Sequence, residues 1–241
     1  MRLFALGVFI VIVLGSSFAS ARSISVGTAQ TGKLINGFEL PESNAWINFY
    51  RKVAHRGSNY ATLEMAALLT RASRVVHKAV GGTLLTIGDC SDHDGGDLRG
   101  HKSHNSGRDV DILFYVKNKQ GKSVKATGFH KFEKSGWARG GKRSQQFDVS
   151  RNWWLVRTLL ISDAPSVQYI FVADHLKKMM LSYAKKHGEA KEIMRRARSI
   201  LVQPRDALPH DDHFHVRIYC SDEDRINGCL DTGPLWSWVK R

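Results

Sequence analysis

Cysteine is scarce in this chain. Its three cysteines, Cys90, Cys220 and Cys229, leave room for one disulfide at most. None lies in a C-x-x-C pair, which argues against cysteine as a metal ligand. Acidic residues are also short. The sequence holds 22 Asp and Glu against 36 Lys and Arg, a formal charge of +14 and a pI of about 9.9. A surface so charged favours anionic partners. No Gly-x-Ser-x-Gly surrounds Ser103, so a serine nucleophile beside His104 is discounted. No internal repeat is visible, and no composition break divides the chain beyond its first residues.

What is present begins with a leader. Arg2 is a minimal positive region, and the apolar run at residues 3–14 is too short to span a bilayer comfortably. Ala19-Ser20-Ala21 then fits a small-residue cleavage site. Residues 1–21 are therefore expected to be an export signal, with an uncleaved anchor as the alternative. No cysteine follows the apolar run closely, which argues against a lipoprotein. Residues 22–241 are expected to be a single domain without stable membrane insertion. Export permits a disulfide. Cys220 and Cys229 flank a short polar loop and are the expected pair, leaving Cys90 unpaired. An exported protein meets anionic cell wall before nucleic acid, so nucleic acid is not expected as a partner.

Hydrophobic residues make up 42% of the chain, enough for a substantial core. Residues 22–45 are polar and Gly-containing, and read as an extended lead-in. Apolar spacing predicts a helix over residues 62–80 and a buried strand over 82–88. A β-branched and aromatic run predicts a strand over 109–116. A helix is expected over 150–161, a strand over 167–172, and two helices over 174–187 and 189–201, split near Gly188. A strand with alternating character covers 213–219, and a tail with Trp236 and Trp238 packs back on the body. Elements mix without strict β-α-β order, so α+β with a mostly antiparallel sheet is expected. Residues 117–143 hold nine Lys or Arg against one acid, Glu133, together with Phe129, Phe132 and Trp137. They read either as a solvated loop or as a mobile loop beside the site that touches a polyanion.

Two distant segments carry the chemistry. One runs from His101 through His104 to Asp109 and Asp111, and the other is His210-Asp211-Asp212-His213-Phe214-His215. Six of the 11 histidines stand at positions 93, 101, 104, 210, 213 and 215. On a strand, His213, His215, Arg217 and Tyr219 share one face and Phe214, Val216 and Ile218 the other. Histidines two apart are separated by roughly 7 Å of backbone, so one suits a ligand and the other a reach to the reacting water. Asp109 and Asp111 share a strand face in the same way. Gly107 allows a bend that brings His104 to Asp111. Two histidines and an aspartate with an open fourth position form a catalytic rather than a structural zinc set. His213 is placed as the acid–base group if His215 is the ligand, with Asp211, Asp212 and His210 as competitors. His93 with Asp92, Asp94 and Asp97 reads as a polar rim, or else as a second metal site.

These motifs resemble a known group. Ser103-His104 to Asp111, followed by a distant His-x-His, is similar to zinc peptidases that include D-alanyl-D-alanine carboxypeptidases, lysostaphin-type endopeptidases and the hedgehog amino-terminal domain. The nearer resemblance is to penicillin-insensitive murein endopeptidases. It is carried by His101 to Ile112, by His210 to Arg217, by Ser25 to Pro41, by Ile87-Gly88-Asp89 and by the Cys220 and Cys229 pair. The resemblance implies a hedgehog-like α+β fold with a central sheet flanked by helices. It implies zinc on His104, Asp111 and His215, with His213 as the catalytic histidine and His210 assisting. His101 would lie beside the site as a further metal or substrate contact, and Asp148 and Asn152 are candidate substrate-side residues. The implied substrate is peptidoglycan in the periplasm, cut at D-alanyl–meso-diaminopimelate or diaminopimelate–diaminopimelate cross-links. The rivals are a zinc D-alanyl-D-alanine carboxypeptidase, a non-catalytic zinc-holding wall-binding module and a secreted nuclease. The chain departs from the family pattern in its fewer cysteines and its basic 117–143 segment.

Overall fold

A computed structural model describes residues 22–50, 56–140 and 144–239. The export signal read at residues 1–21 lies outside the described residues. A six-stranded sheet organises the rest. It is built from β4 (Ile47–Phe49), β6 (Leu85–Ile87), β7 (Asp109–Leu113), β11 (Val167–Phe171), β12 (Leu201–Val202) and β13 (His213–Ile218). The strand order is β12-β11-β13-β7-β6-β4. The three inner pairings are antiparallel, and the β11–β12 and β4–β6 pairings at the edges are parallel. The class is α+β, as the mixed element order predicts.

Among the described residues, five helices accompany the sheet. Helix α1 (Leu63–Val80) starts where the Thr62 side chain accepts the Met65 N–H, and it buries Met65, Leu68, Leu69, Ala72 and Val76 on one face. It stops at Gly81, whose φ of 61° a side chain would resist. Helix α2 (Val149–Leu160) is capped by Asp148, which accepts the Arg151 N–H. Helices α3 (Asp174–Lys186) and α4 (Lys191–Ile200) are split at Gly188, where φ is 72°. The short α5 (Asp222–Ile226) follows β13.

Alternation along β13 sorts its side chains. Phe214, Val216 and Ile218 join the apolar cluster that includes residues of α1 to α4. Phe114 anchors that cluster, with ring centroids 4.7 Å from Phe214, 5.0 Å from Phe147 and 5.8 Å from Phe132. His213, His215 and Arg217 alternate to the opposite face.

Residues 22–45 do more than cross the surface. They form a hairpin of β1 (Ile24–Val26) and β2 (Lys33–Ile35), then β3 (Phe38–Glu39), which pairs with β5 (Tyr60–Ala61). The backbone of this segment is satisfied by distant partners, with Gly27 N–H donating to Gly228 and Leu34 N–H to Asp94. The described part of the basic segment, through residue 140, also makes fixed contacts. It contributes β8 (Val116–Lys117) and β9 (Ser123–Val124), and β8 also pairs with β10 (Gln146–Phe147). Phe132 is buried in the core and Phe129 packs on Tyr50 at 5.8 Å. Trp236 and Trp238 stack at 5.4 Å, and the Trp236 Nε1–H donates to the Gln168 carbonyl, which ties the tail down. Cys220 and Cys229 form a disulfide, and Cys90 is a buried free thiol.

Candidate active site

The site forms where β7 and β13 lie side by side. Their register sets His215 opposite Asp111 and Arg217 opposite Asp109. Asp111 is the centre. Its Oδ1 lies 3.4 Å from His104 Nε2, 3.3 Å from His213 Nε2 and 3.3 Å from His215 Nδ1. Its Oδ2 lies 3.4 Å from His101 Nε2. The His104 ring is 4.7 Å from both His101 and His215. The ligand atoms of His101, His104 and Asp111 all fall within 4.8 Å of one another. The two sequence segments therefore meet. His101, expected beside the site, stands as near Asp111 as His104 does.

Local structure aims each ring. His104 adopts φ of 81°, an uncommon conformation outside glycine. Gly107 follows with φ of 74°, and a side chain there would strike Leu34 Cδ1 at 2.7 Å. The bend expected at Gly107 is thus present. His104 Nδ1 lies 2.7 Å from the Cys90 carbonyl. A carbonyl only accepts, so Nδ1 carries the hydrogen and Nε2 presents a lone pair. That Nε2 and Asp111 Oδ1 are buried, and neither has a hydrogen-bond partner among the described residues. Two orphaned buried acceptors facing each other are poorly accommodated without a cation between them.

The remaining histidines differ in charge state. His213 is deeply buried, which alone would lower its pKa, but the carboxylates of Asp111 and Asp212 beside it push it up to about 10. Its Nδ1 lies 2.6 Å from Asp212 Oδ1. His210, at φ of 54°, donates Nδ1–H to the Leu208 carbonyl at 2.8 Å. Burial and the neighbouring His213 and His215 lower its pKa to about 4, which favours the neutral ring with its lone pair on Nε2. Burial opposes protonation of His101 and His215, yet the carboxylates beside them raise both. Against the same burial, the neighbouring histidines, His213 first, hold Asp111 well below the usual carboxylate range.

A cleft of about 810 Å³ opens over this cluster, lined by His101, His104, Asp111, His210, His213 and His215. Lys102, Lys131 and Arg205 also line it, as do Asp206, Asp211 and Asp212. Phe129 sets its ring 5.2 Å from His213, which brings the basic segment to the site.

Other expected residues lie elsewhere. Asp148 caps α2 and pairs with Arg151 Nη1 at 2.6 Å. Asn152 is buried, accepting the Tyr115 N–H at 3.0 Å and donating to the Tyr115 carbonyl at 2.8 Å. Neither lines the cleft. His93 is exposed, pairs with Asp94 at 2.7 Å and does not line the cleft. Conversely, no motif spacing assigns Asp89 a role. It lies 3.5 Å from His101 Nε2 and accepts from Ser58 and Arg56.

An α+β body with a cation-competent histidine–carboxylate cluster under an open cleft has the features of a hydrolase. A family model for penicillin-insensitive murein endopeptidase matches residues 25–235, and the chain belongs to that family. It is a peptidase of a family that acts on the cell wall. No curated protein matches the chain in a direct comparison. Among the described residues, no helix is long and apolar enough to cross a membrane.

Proposed function

We propose that this chain is a zinc-dependent murein endopeptidase. It hydrolyses D-alanyl–meso-diaminopimelate cross-links of peptidoglycan, and diaminopimelate–diaminopimelate links as well. His104, Asp111 and His215 hold the metal, and His101 is an additional contact at Asp111 Oδ2. Residues 1–21 direct export to the periplasm, and residues 22–241 act there as one metallopeptidase domain. The observation that carries this is the convergence of three histidine nitrogens within 3.4 Å of one buried Asp111 oxygen.

Imidazole and carboxylate together suit zinc better than a hard oxygen-seeking cation. The bound ion supplies Lewis-acid polarisation of the scissile carbonyl and a nucleophile at neutral pH. The side chains do the rest. A cation held by His104, Asp111 and His215 would offset the Asp111 charge that raises the His213 pKa to about 10, leaving His213 as the group that takes and returns a proton. His213 Nε2 then exchanges a proton with the reacting groups, while Asp212 holds Nδ1–H and fixes the ring. Water adds to the carbonyl carbon, the C–N bond breaks, and the proton ends on the leaving amine. His210 offers its free Nε2 as an acceptor to substrate. Among the lining residues, Lys102, Lys131 and Arg205 are cations that can meet the free carboxylates of peptide stems.

Substrate choice is tested with purified protein on cross-linked muropeptide dimers and on free pentapeptide, read by mass spectrometry. Dimers converted to monomers are expected, and the product masses name the bond. Loss of terminal D-alanine from the pentapeptide with dimers intact would instead assign a carboxypeptidase.

A further inference from the structure

Asp109 stands outside the ligand set proposed above, yet it touches both halves of it. It lies on β7, opposite Arg217 on β13, and is only 1% exposed. The Arg217 guanidinium forks onto it, with Nε donating to Oδ1 at 2.7 Å and Nη2 to Oδ2 at 3.2 Å. Asp109 Oδ2 also accepts the main-chain N–H of His104 at 3.1 Å. Its Oδ1 lies 3.1 Å from His215 Nε2.

We propose that Asp109, clamped by Arg217, is a positioning residue that fixes both His104 and His215 for metal binding. This rests on the zinc assignment of the preceding section. An ionised carboxylate only accepts, so His215 Nε2 carries a hydrogen toward Asp109. The neutral ring then has its lone pair on Nδ1, the atom that faces Asp111. On the other side, the bond from the His104 N–H helps hold a backbone conformation that a non-glycine residue adopts at a cost. One carboxylate thus sets a tautomer on β13 and a turn before β7. Arg217 makes the buried charge tolerable, and its planar fork fixes the carboxylate's orientation. Outer hydrogen-bond partners of this kind orient ligand histidines in metal sites generally.

The test is zinc affinity, measured by competition with a chromophoric chelator on metal-free wild type, Asp109→Asn and Arg217→Lys. Thermal midpoints of the metal-free proteins are taken alongside. Asp109→Asn keeps the shape and loses the charge. It is expected to bind zinc about 10- to 100-fold more weakly, the usual cost of removing an outer partner. Its kcat is expected to fall with little change in KM. Arg217→Lys keeps the ion pair and breaks the fork, so a smaller loss in the same direction is expected. It serves as the test if Asp109→Asn does not fold. Unchanged affinity in a folded variant overturns the inference and leaves the zinc reading standing. Wild type that takes up no zinc overturns that reading, and the inference falls with it.

Discussion

His215 lies directly across the β7–β13 ladder from Asp111, with its Nδ1 3.3 Å from Asp111 Oδ1. Side chains alternate along a strand, so a one-residue slip would replace His215 by Phe214 and bury the imidazole in the core. The packing of Phe214 on Phe114 therefore helps hold the site in register. Replacing Asp111 by Ala is expected to abolish zinc binding. The loss should exceed the about 10- to 100-fold cost of an outer partner. Equilibrium dialysis with metal analysis checks this, and full zinc occupancy in the variant would remove Asp111 from the ligand set.

His213→Gln separates chemistry from binding. General acid–base groups contribute about 10²- to 10⁴-fold, and a loss of kcat in that range is expected. Zinc content should be retained. Full hydrolysis by the variant would favour a non-catalytic role for His213.

Zinc affinity should depend on pH with a defined sign. The carboxylates raise His101 and His215, and His213 stands at about 10 in the metal-free site. The ion must displace or repel these protons. Affinity is expected to climb as pH rises through the ordinary histidine range near ~6.5 and to keep climbing above it. The metal-free protein should show the opposite trend. A raised histidine stabilises the fold fully below its unfolded value, and His213 loses that contribution as pH rises toward about 10. Affinity titrations and thermal melts across this range check both signs.

Asp148→Ala tests a residue that sequence placed near substrate. As a helix cap bonded to Arg151, it should cost about 0.5–2 kcal/mol of stability. kcat/KM should not change. A large fall in kcat/KM with an unaltered melting temperature would restore a substrate role.

Phe114→Ala should cost about 3–5 kcal/mol, because three other rings lose their common neighbour. Denaturant titration of the metal-free protein measures it.

Much of this was legible in the sequence because it depends on local periodicity. Thr62 and the spacing of Leu69, Ala72 and Val76 mark α1. Alternation in His213 to Ile218 marks β13 and sorts its faces. What was not legible depends on partners far along the chain. Strands of two or three residues, such as β1 and β3, carry too little pattern, and their distant partners include Asp224, which accepts the Ser25 N–H, and Ala61, which pairs with Phe38. The composition of residues 117–143 reads as a solvated loop or a mobile loop beside the site, and does not reveal that Phe132 enters the core while Phe129 meets His213. The contacts of Asp109 and Asp89 follow from strand register and from the folding of the Arg56 to Ser58 segment, which no spacing rule reveals.

The most direct test is hydrolysis of cross-linked muropeptide dimers by the purified protein, before chelation, after chelation, and after zinc is returned. Cleavage that stops on chelation and resumes with zinc is the predicted result. Cleavage undiminished in protein shown to be free of metal would contradict the account.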